Sequence, residues 1–324
     1  MHPRNPYAVR RPDFAALAAL YPAFGAFVCS GADGRATLAW SDPQALVELA
    51  RVLLKHDFGI EWTLPAQGAN LCPTVPSRLN YLCWIADLLD EASIGGSQTP
   101  TAPPEIVGVD IGTGASCIYP LLGVAQFGWR FIGTEIDESS VTAARRNVGL
   151  NSWHDRIEVR HVRARLVATT TATTTEGSAA AGGDLEVGGG NTAGRGSSER
   201  EPVDRVAASL EAPILVGVLR PTESAQFCMC NPPFYDLHET PQPNLAIQPH
   251  ARCEATLSEQ FTDGGEVGFV LRLVADSVLL RERVLWYTSL VGRKRSLRPI
   301  LASLREVREV APLDSRTTKV AHRR

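Results

Sequence analysis

Glu105-Ile106-Val107-Gly108-Val109-Asp110-Ile111-Gly112-Thr113-Gly114 decides how this 324-residue chain folds. The apolar β-formers read as a buried strand, and the glycines after it read as a tight turn that admits no side chains. The spacing is not the Gly-x-Gly-x-x-Gly of dinucleotide folds, and no P-loop lysine follows. Helix-like sequence is expected from Ala115, with Pro120 inside it. A second strand is predicted over Arg130 to Thr134, ending in Glu135, which lies 23 residues after Gly112. An acid so placed can bond both hydroxyls of a ribose.

A strand running into Asp-x-Gly-x-Gly, with an acid ending the next strand, is the pattern of proteins that bind S-adenosyl-L-methionine (SAM). Small residues there let the backbone approach the methionine part of the cofactor. Glycines falling near an acid by chance are the competing explanation. A helix predicted over about Glu138 to Leu150 and a strand over Ile157 to Val162 continue the alternation, which implies a parallel sheet. Then the pattern breaks. From Thr169 to Ser198, 23 of 30 residues are Thr, Ala, Gly or Ser, too little apolar surface to order a segment. The reading is a disordered insertion at about 169–205.

Past the insertion, Gln226 to Cys230 reads as a buried strand. It ends at Asn231-Pro232-Pro233-Phe234, since two prolines cannot donate to a ladder. The Asn231 carboxamide oxygen and a proline-side carbonyl can accept both hydrogens of a planar NH2 group, while Phe234 stacks on the heterocycle carrying it. That arrangement orients a poor nucleophile for attack on a methyl group. An ordinary turn with a core aromatic explains the same residues. Tyr235 to Glu259 reads as a polar loop and a lid candidate. Gly264-Gly265-Glu266 leads into a helix with Phe269, Val270, Leu273 and Val274 on its apolar face. Val284 to Tyr287 reads as a strand, with Gly292-Arg293-Lys294-Arg295 at the end where such sheets bind ligands. Arg293 and Lys294 are phosphate-contact candidates there, against a solvated loop. A last helix is predicted over Pro299 to Glu309, and Thr317 to Arg324 forms no convincing strand.

The N-terminal third reads as mostly helical. Asp13 caps a short helix through Leu20, and Ala36 to Trp40 alternates weakly, as in a strand. Asp42-Pro43 opens a helix that Gly59 closes. A further helix is predicted from about Ser77 to Asp90. Arg78 in its first turn opposes the helix dipole, which fits a residue that holds a carboxylate ligand. Met1 to Pro12 carries Arg4, Arg10 and Arg11 and no acid, and reads either as an arm for phosphate and stacking or as a solvated terminus. The division is therefore 1–93, a Gly/Ser/Thr/Pro linker at 94–104, and 105–324.

Composition excludes little but agrees. Hydrophobic content of 44% and charged content of 21% suit a soluble globular protein. With a net charge of −3, a nucleic acid would need a local basic patch. Seven cysteines without metal-ligand spacing point to a reducing intracellular compartment and to no metal. No apolar run approaches the ~20 residues of a membrane helix.

Together these residues resemble the methyltransferase-like-16 family, RNA adenine-N6 methyltransferases related to the bacterial 23S rRNA adenine methyltransferase F. The carriers are Arg4-Asn5 with Pro12-Asp13-Phe14, Pro73-Thr74-Val75-Pro76 with Arg78-Leu79-Asn80-Tyr81, and the run from Asp110 to Gly123. Cys228 to Phe234, Gly264-Gly265-Glu266 and Trp286-Tyr287 complete the set. Asn-Pro-Pro-aromatic alone is shared with glutamine, guanine and DNA-adenine methyltransferases. The resemblance implies a class I, Rossmann-like SAM-dependent methyltransferase with an N-terminal RNA-binding module, SAM as cofactor, and S-adenosyl-L-homocysteine (SAH) as product. Its cofactor residues would be Arg78 on the SAM carboxylate, Gly112 and Ser116 along the methionine, and Glu135 on the ribose, with Asp110, Gly114 and Asn231 in the same site. Asn231, Pro232, Pro233 and Phe234 would form the catalytic turn; Arg4, Arg10, Arg11, Arg293 and Lys294 would contact RNA. The implied partner is a structured RNA of the U6 small nuclear RNA type, with no membrane and no obligate protein partner, and the implied location is the nucleus, with the cytoplasm as the alternative. Another methyl acceptor and a catalytically silent RNA-binding protein are the rival functions. The family pattern has a regulatory lysine where Arg165 stands, cations in place of Pro6 and Ala8, and a closing strand that this chain's Arg316-Thr317-Thr318-Lys319 does not continue.

Overall fold

The structure, a computed structural model, describes residues 1–65, 70–94, 105–162, 213–239 and 256–310. The expected linker (from 95), the whole insertion, most of the lid candidate, Arg165 and the C-terminal tail lie outside the described residues.

The chain opens with a 3-10 turn at Pro6–Ala8, then α1 (Phe14–Leu20) and α2 (Pro22–Gly25). The hairpin β1 (Val28–Ser30) and β2 (Ala36–Leu38) follows, with its second strand ending two residues before the expected Trp40. Next come α3 (Pro43–Phe58) and α4 (Val75–Ile94). Local signals set these boundaries. The Asp13 carboxylate accepts from the Ala15 and Ala16 amides, Asp42 accepts from Gln44, and Gly59 takes the left-handed φ of 68° that ends α3.

The N-terminal arm is fastened rather than solvated. Asn5 is fully buried, and its side chain bridges the Tyr7 amide and the Pro76 carbonyl. The His2 amide donates to Asn80 Oδ1 at 2.6 Å, and the Tyr7 hydroxyl donates to Asp57 at 2.6 Å. His2, Asn5 and Tyr7, within the stretch read as an arm for phosphate and stacking or as a solvated terminus, thus anchor it to the fold.

The second half is built on β3 (Val107–Ile111), α5 (Ile118–Phe127), β4 (Arg130–Glu135), α6 (Glu138–Leu150), β5 (Ile157–His161) and β6 (Ala225–Cys230). Beyond them lie β7 (Tyr235–Asp236), α7 (Leu257–Gln260), β8 (Phe261–Thr262), α8 (Gly265–Leu280), β9 (Val284–Tyr287) and α9 (Leu297–Val310). Five strands form one parallel sheet in the order β5-β4-β3-β6-β9. Helix α5 begins at Ile118, three residues later than expected from Ala115. Pro120 therefore falls in its first turn, where its missing N–H costs no helical bond.

The sheet is covered on both faces, and β6 shows why. Phe227 and Met229 point into a core shared with Tyr7, Leu54, Leu82 and Leu121, while Cys228 and Cys230 point into a second core with Val109 and Leu273. The N-terminal helices thus share a continuous core with one face of the sheet. A strap at 61–63 adds polar ties: the Trp62 indole donates to the Ser116 carbonyl at 2.9 Å, and Asn147 bridges Thr63 and Ala115. Among the described residues no helix is long and apolar enough to cross a membrane.

Candidate functional site

Strand order locates the site. From β3 the chain winds outward to β5, then returns past β3 to β6, so the winding reverses between β3 and β6. In open parallel sheets a crevice opens at the strands' carboxyl ends at such a switch point. Asp110 is in register with Met229, and Ile111 with Cys230, so the glycine turn and Asn231 leave the sheet side by side.

The glycine turn has the shape of a cradle. Gly112 and Gly114 adopt φ values of 71° and 64°, which non-glycine residues reach only under strain. A Cβ on Gly112 would meet no atom within 4 Å, so the turn faces open space. The Thr113 amide bonds the Thr134 carbonyl at 2.8 Å and pins the turn to β4. Glu135 closes the far side. One carboxylate oxygen accepts from the Gly114 amide at 2.9 Å, and the other accepts from Ile136 and Asp137. Burial raises the Glu135 pKa, and those three N–H groups pull against the rise.

Asp110 is the anomaly. Its side chain is buried, yet neither carboxylate oxygen has a well-formed hydrogen bond among the described residues. Burial pushes its pKa up to about 7, opposed by the nearby Thr113 hydroxyl and the Arg78 cation. Unpaired buried carboxylates are costly, so one at a ligand crevice marks where a cationic group belongs. Arg78 is half-buried, donating to the Tyr119 hydroxyl at 2.8 Å with its guanidinium 5.4 Å from the same ring. An arginine for a carboxylate, an unpaired acid for an ammonium, a bare glycine cradle and a ribose-type acid fit the donor and acceptor set of SAM. Ser116, buried behind the turn, completes it.

Beside the cradle, Pro232 is buried and Asn231 half-buried. Strand pairing continues past β9, through the Thr288 amide to the Cys228 carbonyl and the Leu290 amide to the Cys230 carbonyl. That brings the 288–293 segment against Phe234. The Asn231 turn therefore leaves the sheet next to the glycine turn.

The RNA candidates are scattered. Arg4 pairs with Asp87 and Asp90, and Arg10 with Asp57, so their charge is largely answered within the fold. Arg11 is exposed and makes no ion pair among the described residues. Arg293 pairs with Glu239 at 3.0 Å and lies 4.7 Å over the Tyr235 ring, whereas Lys294 is exposed. Arg295 also reaches Glu239 at 3.0 Å.

Sequence reasoning missed Tyr119, Glu239 and Glu259. Glu259 belongs to a Thr256-x-x-Glu259 capping box, a legible local signal. It also accepts from the Leu71 amide at 3.2 Å and lies above Gly114. Nothing local announces the other two.

Comparison with known proteins identifies the fold and the family. A family model described as RNA methyltransferase matches residues 1–175 and 203–311. The chain belongs to that RNA methyltransferase family. The U6 small nuclear RNA (adenine-(43)-N(6))-methyltransferase of Caenorhabditis briggsae is 34% identical over 98% of this chain and 60% of its own length. The Homo sapiens RNA N(6)-adenosine-methyltransferase METTL16 is 34% identical over 94% of this chain and 46% of its own. The chain thus spans about half the length of these relatives. Among solved structures, the hMettl16 catalytic domain in complex with MAT2A 3′UTR hairpin 1 superposes with a TM-score of 0.70, at 32% identity, over 94% of this chain and 86% of that one. The N-terminal domain of human METTL16 in complex with SAH gives 0.65 at the same identity, over 94% and 89%. Fold and family are those of the methyltransferase-like-16 group, as the resemblance implied.

Proposed function

We propose that this chain is an RNA N6-adenosine methyltransferase that uses SAM and acts on an unpaired adenine in a structured RNA of the U6 small nuclear RNA type. The observation that carries the reading is the juxtaposition at the switch point: Asn231 and Phe234 beside a glycine cradle and the buried Asp110, whose carboxylate lacks a hydrogen bond among the described residues. The relatives named for U6 RNA adenine methylation and the neighbour solved with an RNA hairpin support the choice of acceptor. The neighbour solved with SAH supports the choice of cofactor.

In this reading Arg78 pairs with the cofactor carboxylate, Asp110 with its ammonium, and Glu135 with its ribose hydroxyls, while Gly112, Gly114 and Ser116 leave room for its methionine part. When bound, SAM supplies an electrophilic methyl group. The chain's part is to orient the acceptor. Asn231 Oδ1 and the Pro232 carbonyl accept the two N6 hydrogens, Pro233 fixes the turn, and Phe234 stacks on the base. Both bonds favour the pyramidal nitrogen whose lone pair can attack. The nitrogen becomes strongly acidic once methylated and releases its proton to water, so no strong base is required. Extruding a stacked base costs a few kcal/mol, which favours an unpaired or bulged adenine. Arg11 and Lys294 are the RNA contacts the fold leaves available, with Arg4, Arg10 and Arg293 able to serve once their acids yield. A nuclear location follows from the substrate.

The test is transfer of labelled methyl from SAM to a U6-like hairpin, comparing the parent with Asn231→Ala by nucleoside mass spectrometry. N6-methyladenosine from the parent alone supports the reading. N2-methylguanosine, methylated protein, or full activity of Asn231→Ala would overturn it.

A further inference from the structure

The Gly264-Gly265-Glu266 turn has no part in the chemistry above, yet three backbone segments of the site converge on it. Glu266 is 2% exposed, in the first turn of α8. Its two carboxylate oxygens accept from the amides of Gly292 and Arg293, the latter at 3.2 Å. Those residues belong to the segment that follows β9. Gly292 in turn lies against Phe234: a Cβ there would fall 2.6 Å from Cε1 and 3.1 Å from Cδ1 of the ring. On the other flank, Gly265 at φ 58° packs on the chain just past Phe234, where a Cβ would meet the Asp236 amide nitrogen at 3.1 Å. The strand pair β7–β8 joins the same two segments, Tyr235 to Phe261 and Asp236 to Thr262. A cavity of about 320 Å³ lies among them, lined by Phe234, Gly264, Glu266, Arg293 and Ser296.

We propose that Glu266 is a positioning residue for Phe234, holding the 292–293 backbone as the surface against which the stacking ring is set; this rests on the reading of Phe234 as the ring that stacks on the target base. The chemistry suits a carboxylate. Two successive amides with no ladder partner among the described residues are best satisfied by two acceptor atoms on one rigid group, and the positive end of the 16-residue helix α8 favours the charge. Gly264 and Gly265 let that helix end approach both strands without side chains between. If the 292–293 segment moved, the ring would lose its backing while the cofactor cradle, on β3 and β4, would keep its own supports. Small misplacements of orienting groups cost about 100-fold in rate.

The experiment uses the full chain and four variants: Glu266→Ala, Glu266→Gln, Gly292→Ala and, as reference, Phe234→Ala. Measured for each are kcat and KM for a hairpin RNA, SAH affinity by calorimetry, and the emission change of 2-aminopurine placed at the target position when protein binds. Glu266→Ala is expected to lose turnover by about 100-fold, with KM and SAH affinity within about twofold of the parent. Its 2-aminopurine emission should be that of Phe234→Ala rather than that of the parent. Glu266→Gln keeps one acceptor oxygen and should fall between. Parent-like emission and turnover in Glu266→Ala would overturn the inference. If Glu266→Ala fails to bind SAH, Gly292→Ala decides, since it keeps the Glu266 carboxylate and its added Cβ intrudes chiefly on the ring, at 2.6 Å, against 3.3 Å to Glu266 Oε1. Parent-like behaviour there overturns the inference, and the emission of Phe234→Ala supports it. Parent-like behaviour of Phe234→Ala itself would overturn the stacking reading instead, and the positioning role with it.

Discussion

Arg78 donates to the Tyr119 hydroxyl at 2.8 Å while its guanidinium lies over the face of the same ring. A cation near the start of α4 is thereby held by a residue of α5, so an N-terminal helix and a helix of the second half jointly fix the side chain proposed to meet the cofactor carboxylate. Tyr119 is buried, and Tyr81 packs edge-on against it at 5.7 Å. Tyr119→Phe keeps the ring and removes only the acceptor. It should weaken SAH binding about 5- to 20-fold, the scale of one net hydrogen bond. RNA affinity should not change. Calorimetry with SAH is the check, and equal affinity would mean that Arg78 needs no such support.

Asp110 makes the site sensitive to pH in a defined direction. Its folded pKa of about 7 lies above the ordinary carboxyl value. The folded chain without ligand therefore holds a proton that the unfolded chain releases, and stability falls as pH rises from the normal carboxyl range through about 7. A bound ammonium reverses the preference, because it favours the ionised acid. SAH affinity should rise roughly five- to tenfold between pH 6 and 7.5, with uptake of ligand releasing up to one proton. Calorimetry in buffers of different ionisation enthalpy counts that proton. Asp110→Asn should flatten the profile; an unchanged slope in that variant would assign the titration to another group.

The elements with local causes were legible in the sequence. Asp13, Asp42-Pro43 and Gly59 act within a turn of their own positions, so caps and stops could be read before any tertiary contact was known. The glycine turn and Glu135 were legible because a strand, a turn and a second strand fix their spacing. The arm was misleading for a physical reason. Arg4 and Arg10 look like free cations until the fold brings up Asp90 and Asp57, 86 and 47 residues away. Glu266 and Gly292 likewise meet only through the packing of α8 beside β9. Pro120 falls well inside a helix counted from Ala115 but in the first turn of one that starts at Ile118, and the left-handed Cys117 that sets this start is not a local sequence signal.

Glu239 answers two cations at once, reaching Arg293 and Arg295 at 3.0 Å each. Both arginines hold its carboxyl below the usual range, Arg293 more strongly. Phosphate binding at this end of β9 must compete with that carboxylate. Glu239→Gln should therefore tighten hairpin binding several-fold at low salt and steepen the dependence of log affinity on log salt by about one phosphate contact. Fluorescence anisotropy across a salt series measures both. No change in either quantity would place the RNA elsewhere.

Asp276 offers a prediction about stability alone. It is 3% exposed on α8, and one carboxylate oxygen accepts from the amides of Ile214, Leu215 and Val216 at 2.9, 2.6 and 3.2 Å. Leu215 is fully buried, so this bond set anchors the 214–216 backbone ahead of β6. Burial raises the Asp276 pKa, and the three amides offset part of that rise. Asp276→Ala leaves those donors without a partner, at a cost of about 2–4 kcal/mol. The thermal midpoint should drop by several degrees in calorimetric scans, while SAH affinity measured well below the transition stays that of the parent. Asp276→Asn, which keeps one acceptor oxygen of nearly the same shape, should recover part of the loss. A midpoint unchanged in Asp276→Ala would mean that Leu215 and its neighbours are held by apolar packing alone.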